Sequence, residues 1–68
     1  MDETEDAVVE TIGRHTAPWG RELVVQSVTY ASGLRLARLR IRKGRRFTIV
    51  DLDAAAIGWL NDTLRGTV

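Results

Sequence analysis

The sequence predicts a small α+β domain in which four antiparallel strands are followed by one C-terminal helix. Three observations predict it: apolar residues alternate with polar ones, turn residues interrupt that alternation at regular intervals, and a helical apolar stripe follows the last strand. The 68 residues allow a single domain. We expect it to cover residues 7–68 and to follow a disordered acidic tail at 1–6.

The four strands are predicted from segments rich in β-branched and aromatic residues. They are residues 7–15, 22–30, 34–42 and 46–51. Pro or Gly stands between them at the positions that tight turns require. The turns are Ala17-Pro18-Trp19-Gly20, Ala31-Ser32-Gly33 and Lys43-Gly44-Arg45.

The C-terminal helix is predicted over residues 54–65. Asp53 is a good N-cap residue and Gly66 a good stop. The helix has an apolar stripe at helical spacing, with Trp59 on its flank. The stripe consists of Ala56, Ile57, Leu60 and Leu64.

The turns also predict strand registers. A loop of Ala31-Ser32-Gly33 sets apolar residues opposite each other in strands two and three, which favours that register on packing grounds. These pairs are Tyr30 with Leu34, Val28 with Leu36, Val25 with Leu39, and Leu23 with Ile41. The second turn predicts that Ile41 lies opposite Phe47, Leu39 opposite Ile49, and Leu36 opposite Leu52.

In this register, the sheet carries apolar residues on both of its faces. The helix is expected to cover one face, which carries Leu23, Val25, Leu39, Ile41, Phe47 and Ile49. The other face carries an apolar patch near the hairpin tip. This tip patch, defined as Val28, Tyr30, Leu34 and Leu36, predicts a homodimer interface. The alternative is that the change of apolar face marks paired β-bulges, which twist the two-stranded ribbon at this level.

Basic residues are concentrated in the third strand and the turn after it. Residues 34–46 contain seven of the ten Lys and Arg residues and no acid, whereas five of the nine acids precede residue 11. Strand alternation places several Arg side chains in a row on one face. The predicted row is Arg38, Arg40, Arg42 and Arg46, joined by Lys43, Arg45 and an exposed Trp19 as the aromatic platform, with Tyr30 as second choice.

Such a row predicts binding of single-stranded DNA or RNA, because single-strand binders combine a positive groove with stacking aromatic residues. Two other readings stay open. The Arg residues can form a solvated face that protects the sheet from aggregation. Alternatively, the protein is an interaction module whose basic strand docks an acidic partner or its own N-terminal tail.

Catalysis, metals and cofactors are not expected. There is no Cys, and His15 is the only imidazole, so neither a zinc site nor a catalytic triad can be assembled from the usual residues. Asp53 is better explained as a helix cap, and Asp51 as an ion-pair partner for an Arg of the neighbouring strand. No apolar run approaches about 20 residues and no signal peptide is recognisable, so a cytoplasmic location is expected.

The segment from 20 to 65 resembles the single-stranded-DNA-binding domain of the transcriptional positive cofactor four family. The resemblance lies in Gly44-Arg45-Arg46, the strand ending at Leu52, the cap Asp53, and the helix residues Ile57 and Leu60. It implies a dimer whose curved sheets cradle an unpaired strand, with the Arg row facing the nucleic acid and a role in transcription regulation. The chain is also similar to short bacterial proteins with no assigned function.

Overall fold

The computed structural model describes residues 6–67 and contains four strands and one helix in the predicted order. The strands are β1 (Ala7–Ala17), β2 (Arg21–Tyr30), β3 (Arg35–Lys43) and β4 (Arg46–Leu52), and the helix is α1 (Ala54–Arg65). They form one antiparallel sheet in the order β1-β2-β3-β4. The α+β fold class is confirmed, and residues 1–5 of the predicted tail lie outside the described residues.

Asp6, the last residue assigned to that tail, is part of the fold. Its backbone carbonyl accepts a 3.1 Å hydrogen bond from the backbone N–H of Ala31 in the β2–β3 loop. Asp6 was predicted to belong to the disordered tail and instead lies at the end of the sheet that carries this loop.

The register of β2 against β3 is confirmed. Val28 lies opposite Leu36 and Val25 opposite Leu39, without interruption along the ladder. The loop at 31–33 closes with a 2.9 Å hydrogen bond from Gly33 N–H to the Tyr30 carbonyl, and Gly33 has the left-handed φ of 94° that favours glycine. Because this ladder is continuous, the paired bulges considered for β2 and β3 are absent from it. A single irregularity lies in β1, between Thr11 and Gly13.

The predicted register of β3 against β4 is wrong by one residue. Lys43 pairs with Arg46, so the loop is the two-residue Gly44-Arg45 rather than a three-residue turn. Gly44 has a φ of 61°, and a positive φ at the first residue is what two-residue hairpin loops of type II′ use. The tighter turn shifts β4, and a shift of one residue exchanges its two faces.

As a result, different residues of β4 face the helix. Val50 and Leu52 pair with Leu39 and Ala37, whereas Phe47 and Ile49 pair with Arg42 and Arg40 on the opposite face. Phe47 and Ile49 were predicted to lie under the helix, and each is instead 54% exposed. We call the face that carries Phe47 and Ile49 the open face, and the other the helix face.

Helix α1 begins and ends as predicted. The Asp53 side chain accepts a 2.8 Å hydrogen bond from the Ala56 backbone N–H, which caps the first turn. Gly66 follows the last helical residue but has a φ of −75°, so it does not use the left-handed conformation. A groove of about 240 Å³ separates α1 from the helix face, and its lining includes Ile57, Leu60 and Leu64 from the helix stripe.

Burial is sparse. Among residues 6–67, only Val24 and Val28 are buried, and both belong to the open face. Leu64 stays 55% exposed even though it faces the sheet. The described part of the chain contains no helix long and apolar enough to cross a membrane.

Candidate functional site

Three of the four predicted row residues share the open face. Arg38, Arg40 and Arg42 alternate along β3 and lie opposite Gln26, Val24 and Glu22 of β2. The fourth, Arg46, was predicted to join them and does not. It pairs with Lys43 and therefore has the orientation of the helix face, as a consequence of the two-residue loop.

Two residues of the row are held by carboxylates. Arg38 binds Asp51 of β4 with two hydrogen bonds, Nε to Oδ1 at 2.8 Å and Nη2 to Oδ2 at 3.2 Å. Arg42 Nε lies 3.2 Å from Glu22 Oε1, and Arg14 of β1 lies 3.7 Å from the same carboxylate. Asp51 was predicted as an ion-pair partner, and that prediction is confirmed. The row therefore carries less net charge than the sequence pattern indicated.

The pairing of Arg38 with Asp51 changes the acidity of both groups. The hydrogen bond from Arg38 lowers the pKa of Asp51 below its ordinary value; partial desolvation opposes this effect and attraction between the two charges reinforces it. The same hydrogen bond raises the pKa of Arg38. Both side chains stay charged at neutral pH, and this end of the row is an ion pair rather than a free cation.

Glu22 and Arg14 were not singled out from the sequence. The predicted β2–β3 register already placed Glu22 opposite Arg42, so that contact could have been found from it. Arg14 is different, because its position beside Glu22 depends on the irregularity at 11–13 in β1. Without that irregularity, Arg14 would point to the other face.

Arg40 has a different environment from its neighbours. Its guanidinium carbon lies 4.8 Å from the centroid of the Phe47 ring, which is within cation–π range. Its Nε is buried and has no hydrogen-bond partner within residues 6–67. Phe47 was predicted as a core residue, and the shifted register instead makes it the support of an arginine on the open face.

Trp19 is the most exposed large apolar residue of the described chain, at 87%. It lies in the short 3-10 turn Pro18–Gly20, with φ 62° and ψ 31°. Among the described residues it is the only non-glycine residue with a positive φ. A bulky residue pays a steric cost in this conformation, so the predicted exposed aromatic residue is also a strained one.

The β1–β2 turn and the β3–β4 loop lie at the same end of the sheet. Glu22 pairs with Arg42 near the start of β2 and the end of β3. Trp19 of the β1–β2 turn and Arg45 of the β3–β4 loop therefore lie beyond the same end of the sheet. Neighbouring strands are about 4.8 Å apart, which puts the two connections roughly 10 Å from each other. We call this region the basic end. Its charged residues are Arg21, Glu22, Arg42, Lys43, Arg45 and Arg46.

The tip patch lies at the opposite end of the open face. Val28 is 1% exposed within a single chain, so it has almost no area left to offer a partner. Tyr30 and Leu36 are half-buried, Leu34 is 54% exposed, and Val9 of β1 extends the patch with 46% exposure.

The remaining chemical candidates are dispersed. His15 is exposed on β1 opposite Leu23, and Asp53 is engaged as the helix cap. Within residues 6–67 there is no group of three or more His, Cys, Asp or Glu residues that could hold a metal ion.

The whole described chain, residues 6–67, matches the model of a family of unknown function, DUF6967. The chain belongs to this family. The DUF6967 description assigns no activity, so the function must be argued from the geometry of the basic end and the open face. No curated protein and no solved structure shows significant similarity to the chain.

Proposed function

We propose that this protein is a non-enzymatic, cytoplasmic protein that binds single-stranded nucleic acid and acts in transcription regulation. The nucleic acid lies across the basic end. Phosphates bind the Lys and Arg side chains there, and a base stacks on Trp19. One observation carries the proposal: Trp19 is exposed and strained at the edge of a basic cluster.

A residue that is unfavourable for stability in two ways calls for a functional reason. Trp19 leaves a large apolar ring in water and holds a backbone conformation that costs about 1 kcal/mol or more for a non-glycine residue. Strained residues of this kind cluster at binding sites. An indole ring beside cationic side chains is the arrangement that single-strand binders use to stack a base.

The charge distribution favours the basic end, rather than the arginine row of β3, as the region that binds phosphate. Arg38 and Arg42 already have carboxylate partners, and a phosphate would compete with them. Lys43, Arg45 and Arg46 have no carboxylate within ion-pair distance among the described residues. The proposed contact region is therefore centred on the loop after β3, with the row as its extension.

The first test measures binding of a labelled oligothymidylate by fluorescence anisotropy at low and moderate salt. Trp19→Asn should weaken binding by about five- to hundredfold, because stacking is worth about 1–3 kcal/mol per base. Asn suits the left-handed conformation, so the turn should be kept. Trp59→Phe is the matched control, because Trp59 is also exposed, at 66%, but lies on α1.

The second test removes single charges. Arg45→Ala should weaken binding to every sequence alike and lower the salt slope by about 0.7. Arg35→Ala is the control, since Arg35 is an exposed arginine of β3 at the other end of the sheet. Equal effects of the two variants would contradict a site at the basic end.

A homodimer is part of the proposal and is supported by the tip patch. A chain with so few buried residues is marginal, and a second copy can cover Leu34 and Val9. Leu34→Asp should make the protein sediment as a monomer at tens of micromolar. Val8→Asp is the control, because Val8 is 64% exposed but lies on the helix face. A wild-type protein that is already monomeric would remove this part.

The interaction-module alternative rests on the same basic end, where Lys43, Arg45 and Arg46 have no carboxylate partner among residues 6–67. If neither DNA nor RNA binds at low salt, an acidic protein partner becomes the better hypothesis.

A further inference from the structure

We propose that Arg40, supported from below by Phe47, is a second platform that stacks a base of the bound strand. This inference rests on the proposed function and assigns a specific role to the middle of the open face. The geometry points to Arg40 because it differs from both neighbouring arginines in three respects: it has no carboxylate partner, it contacts an aromatic ring, and its Nε is buried without an acceptor.

The first difference is the lack of a carboxylate partner. Arg38 and Arg42 are held by Asp51 and Glu22, whereas Arg40 makes no ion pair with any residue in the described range. Its cross-strand neighbours are Val24 and Ile49, which are both apolar. Among the three arginines of the open face, Arg40 is thus the one without an acid at ion-pair distance within residues 6–67.

The second difference is the support under the guanidinium. Phe47 lies diagonally across from Arg40 on β4, and its ring centroid is 4.8 Å from the guanidinium carbon. The guanidinium carbon therefore lies over one face of the Phe47 ring. The proposal places a planar ligand on the side of the guanidinium that faces away from Phe47, since guanidinium planes stack on nucleobases as aromatic rings do.

The third difference is the number of guanidinium N–H groups that remain free to bind a ligand. The Nε of Arg40 is buried without an acceptor, and the residue as a whole is half-buried. The guanidinium can therefore donate only through its terminal nitrogens. A ligand that combines a flat face with acceptors nearby, as a nucleotide does with its base and phosphate, matches both remaining surfaces of this group.

The location is continuous with the basic end. Phe47 is the second residue of β4 and lies opposite Arg42, so the pair begins within one residue of the charged cluster. Ile49, 54% exposed beside Arg40, adds apolar surface on which a sugar or base can rest. A nucleic acid that is bound at the basic end can therefore extend to Arg40.

The experiment compares an oligothymidylate with an abasic strand of equal length and charge. The wild type should prefer the strand with bases. Arg40→Lys keeps the charge and most of the side-chain stem but removes the plane, so it should lower affinity for the thymidylate by at least about fivefold. Its affinity for the abasic strand and its salt slope should not change.

Phe47→Leu provides an independent variant, because it keeps an apolar residue and removes the aromatic support. It should reproduce the effect of Arg40→Lys. Both effects should persist in a Trp19→Asn background, which separates this platform from the turn. Val50→Ile is the matched control, because Val50 lies on the helix face of the same strand, and it should bind as the wild type does. Circular dichroism should show that all variants stay folded.

The outcomes separate the two proposals. Binding of both strands with equal affinity by the wild type would overturn base stacking and leave phosphate binding intact. No loss on either strand for Arg40→Lys would show that Arg40 contributes charge alone, and an equal loss on both strands would show that its guanidinium contacts phosphate rather than a base. Either result overturns the inference. No binding of either strand at low salt would remove the proposed function itself.

Discussion

Replacement of Val28 by Ala tests where the stability of this domain resides. Val28 is the most completely buried side chain of the described residues, at 1% exposure, and it lies between Val9 and Leu36 on neighbouring strands. The sequence predicted it as part of a dimer interface, whereas the structure buries it within one chain. The two arrangements make different predictions.

The magnitude follows from the burial. Two methyl groups at about 0.8 kcal/mol each give about 1.6 kcal/mol of transfer free energy. A residual void of about 40 Å³ adds about 1 kcal/mol. The expected loss of about 2.5 kcal/mol is large beside a total stability of roughly 3–10 kcal/mol for a chain of 68 residues. It corresponds to a fall in Tm of about 10–20 °C.

Urea and thermal unfolding, followed by circular dichroism, measure this loss at two protein concentrations a hundredfold apart. Val8→Ala is the matched control, since Val8 is 64% exposed, and it should cost less than about 0.5 kcal/mol. The difference between the variants should be the same at both concentrations. Equal stabilities would refute burial within the chain, and a difference that changes on dilution would move Val28 to a subunit interface.

Three further predictions concern the turn, the cap and the ion pair. Gly44→Ala should lower the free energy of unfolding in urea by about 1–2 kcal/mol, because Gly44 has a φ of 61°. Gly13→Ala is the control and should cost far less, since the φ of Gly13 is not positive and nothing lies within 4 Å of an added Cβ. Asp53→Ala should cost about 1 kcal/mol and reduce helix content at 222 nm, and Asp53→Asn should retain most of that stability. The depressed pKa of Asp51 means that its contribution is complete above the ordinary carboxyl pKa of about 3.9 and is lost as pH falls through the lower folded-state pKa. Asp51→Asn should therefore be less stable than wild type by at most about 1 kcal/mol at pH 6, and a gap that persists unchanged at the lowest pH would contradict the ion pair with Arg38.

Local sequence patterns determined most of the fold. The order of strands and helix follows from alternation, turn residues and an Asx cap, all of which act within a few residues. The β2–β3 register was also predictable, because a Gly at the left-handed position fixed the loop and every apolar pair agreed with it. The exposure of Trp19 follows from the same kind of local argument. Asp51 was predicted as an ion-pair partner, but its position opposite Arg38 depends on the β3–β4 register that the structure adopts.

The tertiary structure decided the loop lengths and strand registers, which change which residues lie on each face when they shift by one residue. Three- and two-residue loops around Gly44 are both reasonable from the sequence, and only the folded chain selects the second. That choice moved Arg46 off the row and placed Phe47 under Arg40. The irregularity in β1 similarly brought Arg14 to Glu22. A strand has a side-chain period of two, so a shift of one residue leaves the fold unchanged and exchanges the groups on each face.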